Sequence, residues 1–134
     1  MDLPDRKGIV ALIAAASVLS LTALYLYSLT IGPTAVPIGD LHEGMVGQWV
    51  ETVGQVKEAR LSSSGLLLRL MDPLDYSEVA AFVPMKTYEG IQEREDILPG
   101  AEVVVRGEVQ LYRGELEIVI ASPGDLTIVR KAGP

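Results

Sequence analysis

The hydrophobic and polar positions of the chain follow two different patterns. Residues 9–31 form an unbroken apolar run of 23 residues without a charged residue, proline or glycine, whereas the rest of the chain alternates short apolar and polar segments. A helix of this length rises about 35 Å, enough to cross a hydrocarbon core of about 30 Å. The run therefore predicts one transmembrane helix at 9–31, preceded by an N-terminal tail at 1–8.

A cleaved secretory signal is the alternative interpretation of this run. Arg6 and Lys7 form a short positive segment before it, and the three alanines at 14–16 resemble a cleavage site. The apolar run, however, is longer than a usual signal and continues well past those alanines. Tyr25 and Tyr27 lie near its far end, where aromatic side chains favour the membrane interface. These features favour a retained membrane anchor.

The basic residues around the run predict its orientation. Arg6 and Lys7 precede it, and the next basic residue along the chain is Lys57. The positive-inside rule then places the N-terminus in the cytoplasm. We therefore expect a single-pass protein of the cell membrane whose C-terminal domain is extracytoplasmic.

The remaining chain alternates in the manner of a compact antiparallel sheet, after a Pro-containing linker at 32–44. The alternation predicts a polar surface helix over 87–97 and five strands, at 49–59, 66–71, 79–83, 102–111 and 116–120. Gly54 interrupts the first strand and predicts a bulge or sharp bend there. Three strands, a helix and a two-stranded hairpin follow the order of an OB-fold, a five-stranded Greek-key barrel. The predicted class is all-β, with the barrel at 45–134.

The charge of the chain limits the ligands that this domain can bind. The charges of the first seven residues cancel, so the net charge of −7 belongs to the domain. Nucleic-acid binding depends on lysine and arginine side chains that neutralise phosphates. A nucleic acid would therefore meet a repulsive average field, unless the arginines of the domain cluster on one face.

No pattern in the sequence indicates catalysis or a bound metal. The chain has no cysteine, which excludes disulfides and thiolate metal sites. His42 is the only histidine, and a solvent-exposed role explains it best. The acidic residues at 93–96 lie on the predicted polar helix, where a solvated face is the usual meaning. We therefore expect a non-catalytic binding module without a metal or cofactor.

Three stretches of the domain resemble a known group of proteins. They are VGQVKEARLSSSGLLLRLMD, VAAFVP and LPGAEVVVRGEVQLYRGELEIVIASPGDLTIV. The sequence resembles the OB-fold nucleic-acid-binding domains of the anticodon-binding and exonuclease VII type. It is also similar to small archaeal proteins that carry such a domain behind one membrane helix. The resemblance covers residues 45–129, and its most specific parts are the Leu-Pro-Gly segment before the fourth strand and the Tyr-Arg-Gly hairpin.

The resemblance implies where a ligand would lie. In such domains it crosses the second and third strands, between the first hairpin loop and the loop that joins strands four and five. That surface would hold Arg60, Arg69, Phe82, Tyr112 and Arg113, with bases stacked on the aromatic rings and phosphates paired with arginine. Phe82 on its apolar strand could instead be a core residue. Tyr112 and Arg113 could form only a solvated turn, and Arg69 could face solvent.

Two functions follow as hypotheses. The first is a membrane-tethered module that binds single-stranded nucleic acid. The second is an extracytoplasmic interaction or assembly domain that holds another envelope protein, and the acidic charge favours it. The haem chaperones of cytochrome c maturation have a similar layout but attach haem through a histidine or cysteine after the barrel. Neither residue occurs after Val119, so no cofactor is expected.

Overall fold

Seven strands account for about half of the 101 residues, 33–133, that the computed structural model describes. They are β1 (Thr34–Ala35), β2 (Trp49–Leu61), β3 (Gly65–Met71), β4 (Glu78–Pro84), β5 (Glu102–Tyr112), β6 (Glu115–Val119) and β7 (Leu126–Arg130). One short helix, α1 (Met85–Glu89), follows β4. The prediction of an all-β domain is confirmed.

The membrane helix predicted at 9–31 and the tail at 1–8 lie outside the described residues. Within 33–133, no helix has the length and apolar character needed to cross a bilayer.

The long strands are hydrogen-bonded in a closed circuit. β2 pairs antiparallel with β3, and β3 pairs antiparallel with β4. β4 then pairs parallel with β6, β6 antiparallel with β5, and β5 antiparallel with β2. The two remaining strands extend this circuit: β1 runs parallel to β2, and β7 runs antiparallel to β5.

β2 serves two partners along its length. Residues 49–55 pair with β5, and residues 55–61 pair with β3. The register with β3 shifts between Val56 and Glu58, which is an irregularity of the β-bulge kind. The interruption predicted in the first strand is therefore present, two residues beyond Gly54.

Gly54 is closely packed at the point where β2 changes partner. A Cβ atom on Gly54 would lie 2.8 Å from Cδ1 of Ile38 and 3.1 Å from Cβ of Leu70. To admit a side chain here, Cδ1 at the end of the flexible Ile38 side chain would have to move, and Leu70 would have to shift by a few tenths of an ångström. The glycine allows two core residues to close over the backbone of β2.

The core lies inside the closed circuit and is built from alternate positions of its strands. Because side chains alternate across a strand, one residue in two points inward. The most deeply buried apolar side chains are Val50, Val56, Leu68, Leu70, Val83, Val103, Val105, Val109, Ile118 and Ile120.

The polar segment at 87–97 does not form the single helix that was predicted. Helix α1 ends at Glu89, and a separate 3-10 turn covers Arg94–Asp96. Gly90 closes α1 with its N–H bonded to the carbonyl of Thr87, and Ile91 then enters the core with 5% of its surface exposed. The need to bury this side chain, together with the low helix propensity of glycine, ends the helix after five residues.

Both ends of the domain extend beyond the predicted strands. The compact unit begins at Pro33, and β1 and a 3-10 turn at Ile38–Asp40 lie within the segment predicted as a linker. Ile38 belongs to the core and is 3% exposed. At the other end, the apolar tail after residue 125 forms β7.

We expect Ile38→Ala to destabilise the domain by about 2–5 kcal/mol, because it leaves a cavity over Gly54. Urea unfolding of the full-length chain can be followed by the fluorescence of Trp49, the only tryptophan. Leu74→Ala is the matched control, since Leu74 is 90% exposed and its truncation should cost under about 0.5 kcal/mol. Equal effects of the two substitutions would show that residues 33–44 are only a linker.

Candidate functional site

The outward positions of β3, β4 and β6 lie side by side on one surface. Leu67 pairs with Phe82, Arg69 pairs with Ala80, and Ala80 in turn pairs with Glu117. Since directly paired residues of neighbouring strands point to the same side of a sheet, these five side chains share one face. Their neighbours along each strand point into the core.

Two further elements border this surface. The end of β2 adds Arg60, which pairs with Leu67 in the register of β2 and β3. The β5–β6 hairpin adds Tyr112 and Arg113 at the other margin, where Leu67, Tyr112 and Glu117 line a common cavity of about 260 Å³. We call the whole surface the outer face, defined by Arg60, Leu67, Arg69, Ala80, Phe82, Tyr112, Arg113 and Glu117. All five residues predicted from the resemblance therefore lie on it.

Phe82 lies on the outer face and not in the core. Its neighbours Ala81 and Val83 are fully buried, whereas Phe82 itself is half-buried and lines the cavity next to Tyr112. Gly65 lies close to this strand, because a Cβ there would lie 2.2 Å from the carbonyl oxygen of Val83 and 3.0 Å from Cζ of Phe82. Phe82 can thus present part of an aromatic surface to a ligand.

The β5–β6 hairpin ends in a tight two-residue turn. Tyr112 pairs with Glu115, and the two residues between them both have positive φ, 52° for Arg113 and 81° for Gly114. This is the pattern of a type I′ turn, which asparagine or glycine favours at its first central position. An arginine there is strained, and it places its guanidinium 5.2 Å from the centre of the Tyr112 ring.

Two arginines of the outer face are paired with carboxylates. Arg60 contacts Glu58 at 2.8 Å, and Arg69 contacts Glu115 at 3.6 Å. In both pairs the charged side chains are largely exposed to solvent, so each interaction contributes at most about 1 kcal/mol. Within the described residues, Arg113 forms no ion pair.

Glu117 is the one acidic residue of the outer face, and sequence reasoning did not find it. It lines both cavities next to Tyr112, and burial raises the pKa of its carboxyl group above the usual value. No hydrogen bond or ion pair holds the carboxylate within 33–133. The alternation of β6 places Glu117 opposite the buried Ile118, but only the pairing with β4 shows that it faces Phe82 and Tyr112.

His42 has a structural role in the domain. Its Nδ1 accepts a hydrogen bond from the N–H of Gly44 at 3.1 Å and so caps the 3-10 turn Glu43–Met45. No cluster of three or more histidine, cysteine or acidic side chains that could hold a metal ion occurs between residues 33 and 133.

Comparison with solved structures identifies the architecture. Aspartyl-tRNA synthetase from Entamoeba histolytica aligns over 78% of this chain at 19% identity with a TM-score of 0.63. An OBody bound to hen egg-white lysozyme aligns over 76% of this chain and all of its own, at 14% identity and a TM-score of 0.62. The Stn1-ten1 complex of S. pombe aligns over 68% of this chain and 70% of the matched chain, at 18% identity and a TM-score of 0.52.

The domain has an OB fold. At these identities the likeness concerns the fold alone, and this chain spans only 23% of the length of the synthetase that it matches. No protein-family model and no curated protein matches the sequence. The OB-fold interpretation of the three sequence stretches is therefore confirmed by structure, although sequence similarity to these proteins is low.

We expect Arg113→Asn to raise the free energy of unfolding by about 0.5–1 kcal/mol, because asparagine tolerates positive φ at the first central position of the turn. Arg113→Ala is the control, since alanine keeps the backbone strain and loses the contact with Tyr112. It should be neutral or destabilising. Urea titrations of the two variants and the parent chain measure the difference in free energy of unfolding. A lower value for Arg113→Asn than for the parent chain would show that the backbone at Arg113 is not strained.

Proposed function

We propose that the outer face binds single-stranded nucleic acid, and that the domain is a non-catalytic binding module tethered to the cell membrane. The observation that carries the proposal is the convergence of two aromatic rings and three arginines on one surface. Phe82 and Tyr112 share a cavity, and Arg60, Arg69 and Arg113 lie around it. Aromatic faces for bases and guanidinium groups for phosphates are the two interactions that single strands require.

The ion pairs of the face determine how strongly a phosphate is bound. Arg113 can pair with a phosphate at once, whereas Arg60 and Arg69 must first leave Glu58 and Glu115. Exposed ion pairs of this kind contribute at most about 1 kcal/mol. Each arginine therefore loses little free energy when it leaves its glutamate, and it gains little when it pairs with a phosphate instead. Together with the net charge of −7, this favours weak binding that depends mainly on base stacking.

A single strand suits this face better than a duplex. Duplex DNA carries about one charge per 1.7 Å of its axis, and its bases are stacked on one another. An acidic domain with few arginines repels that charge density, and Phe82 and Tyr112 cannot reach a base inside a duplex. Unpaired bases, in contrast, can lie on the rings of both residues.

The proposed tether and location rest on the sequence. The apolar run at 9–31 supports the membrane helix, and Arg6 and Lys7 before it support an extracytoplasmic domain.

An interaction domain for another envelope protein is the second candidate. Three carboxylates, Glu58, Glu115 and Glu117, line the cavities of the outer face beside its three arginines, and Leu67 on the same face is 41% exposed. Mixed charge around an apolar centre is typical of a protein interface. The OBody bound to lysozyme and the Stn1-ten1 complex are OB-like structures with protein partners, which supports this alternative.

We expect Tyr112→Ala and Arg113→Ala each to weaken binding of a 12-nucleotide single strand several-fold. Loss of one stacking ring removes about 1–3 kcal/mol per base. Only Arg113→Ala should flatten the dependence of log K on log salt, by about 0.7 for one phosphate contact. Fluorescence anisotropy between 20 and 200 mM salt measures both quantities.

Glu93→Ala is the control for this experiment, because Glu93 is exposed on the segment after α1 and lies outside the outer face. The affinity of this variant for the single strand should equal that of the parent chain or exceed it slightly. Absence of binding by the parent chain near 20 mM salt would overturn the nucleic-acid proposal and favour the envelope-protein alternative.

The proposed orientation predicts that protease added to intact cells or spheroplasts removes the domain from the membrane. An antibody against residues 33–133 would follow the loss, with a cytoplasmic protein as the control for cell integrity. Survival of the domain while that protein also survives would place the domain in the cytoplasm.

A further inference from the structure

Glu117 occupies the centre of the outer face, where two cavities meet. One cavity is lined by Phe82 and Tyr112, and the other by Arg69 and Arg113. Each has a volume of about 260 Å³. A ligand that stacks on the aromatic rings must therefore lie beside the Glu117 carboxylate.

The arrangement of charges around Glu117 leaves its carboxylate available to a ligand. Arg69, the nearest guanidinium on β3, pairs with Glu115 instead. Arg113 at the hairpin tip lies over the ring of Tyr112. Glu115, two residues before Glu117 on β6, adds a second negative charge to the same cavity.

A carboxylate in this position acts on a ligand in two ways. It repels phosphate groups, which directs the backbone of a strand toward the arginines at the margins of the face. It also accepts hydrogen bonds and donates none while ionised, so a half-buried carboxylate gains most from a ligand that brings N–H donors. Burial raises the pKa of Glu117, which agrees with a carboxylate that lacks such donors in the free protein.

We propose that Glu117 makes the outer face selective for bases that carry an exocyclic amine, cytosine, adenine and guanine, over uracil and thymine. The proposal rests on the proposed function and names the specificity of the same site. An exocyclic amine next to the carboxylate donates a hydrogen bond to it. Uracil and thymine present a carbonyl oxygen in place of the cytosine amine, and their ring donor, N3–H, lies between two carbonyl oxygens that the carboxylate repels.

Cytosine and uracil provide the matched test, because they have similar size and differ only in the amine or carbonyl at position 4 and in the proton on the neighbouring N3. The full-length chain in a non-ionic detergent is titrated at pH 8 and 20 mM salt with fluorescein-labelled dC12 and dU12. We expect dC12 to bind about tenfold more tightly than dU12, as one discriminating hydrogen bond provides.

Glu117→Gln tests the role of the carboxylate directly. A carboxamide both donates and accepts hydrogen bonds, so it can pair with either base. The preference for dC12 should fall below about twofold, chiefly because dU12 binds more tightly. Glu117→Ala should also abolish the preference. Glu93→Gln is the control, since Glu93 is exposed and lies outside the outer face, and it should retain the preference of the parent chain.

Urea unfolding can be used to check that the variants are folded. Burial raises the pKa of Glu117 in the folded state, so the folded protein holds the proton more tightly than the unfolded chain does. The ionised group at pH 8 therefore disfavours folding slightly, and Glu117→Gln should unfold at the same urea concentration as the parent chain or at a higher one.

The outcomes separate this inference from the proposed function. Equal binding of dC12 and dU12 by the parent chain, or an unchanged preference in Glu117→Gln, would refute the role of Glu117 and leave nucleic-acid binding intact. If neither oligonucleotide bound to the parent chain or to Glu117→Gln, the proposed function would fail and the inference with it.

Discussion

The close approach of Ile38 and Leu70 over Gly54 allows β2 to leave β5 and join β3 within a single strand. The circuit of strands closes through this change of partner. Because β3 is fixed there, its outward residues meet those of β4 and β6, and the β5–β6 hairpin reaches the margin of the same surface. The arrangement of the outer face therefore depends on this change of partner in β2.

The outer face combines attraction and repulsion in a way that suits weak, selective binding. Two of its arginines are already paired with glutamates, and the third is held over Tyr112 in a strained turn. A phosphate bound at these arginines therefore contributes little binding free energy, while the aromatic rings remain accessible to a base. With Glu117 between them, the surface would distinguish ligands by the donors on their bases more than by their total charge.

The resemblance stated from sequence placed Arg60, Arg69, Phe82, Tyr112 and Arg113 on one surface, and the structure does bring them together. It did not find Glu117, Leu67 or the glutamates that pair with the arginines. Alternation along a strand shows that such residues point outward. It cannot show which outward residues of separate strands become neighbours, because that depends on the parallel pairing of β4 with β6.

The sequence by itself determined the features that depend on local preference: the all-β class, the positions of β2 to β6 to within about two residues, the irregularity near Gly54 and the hairpin at Arg113 and Gly114. Each of these follows from side-chain alternation or from the backbone freedom of glycine. The tertiary structure alone decided that Ile38 belongs to the core, that Phe82 faces outward and that Glu117 forms no ion pair among the described residues. These depend on register and on contacts between distant strands, since a shift of one residue would exchange the two faces of a strand.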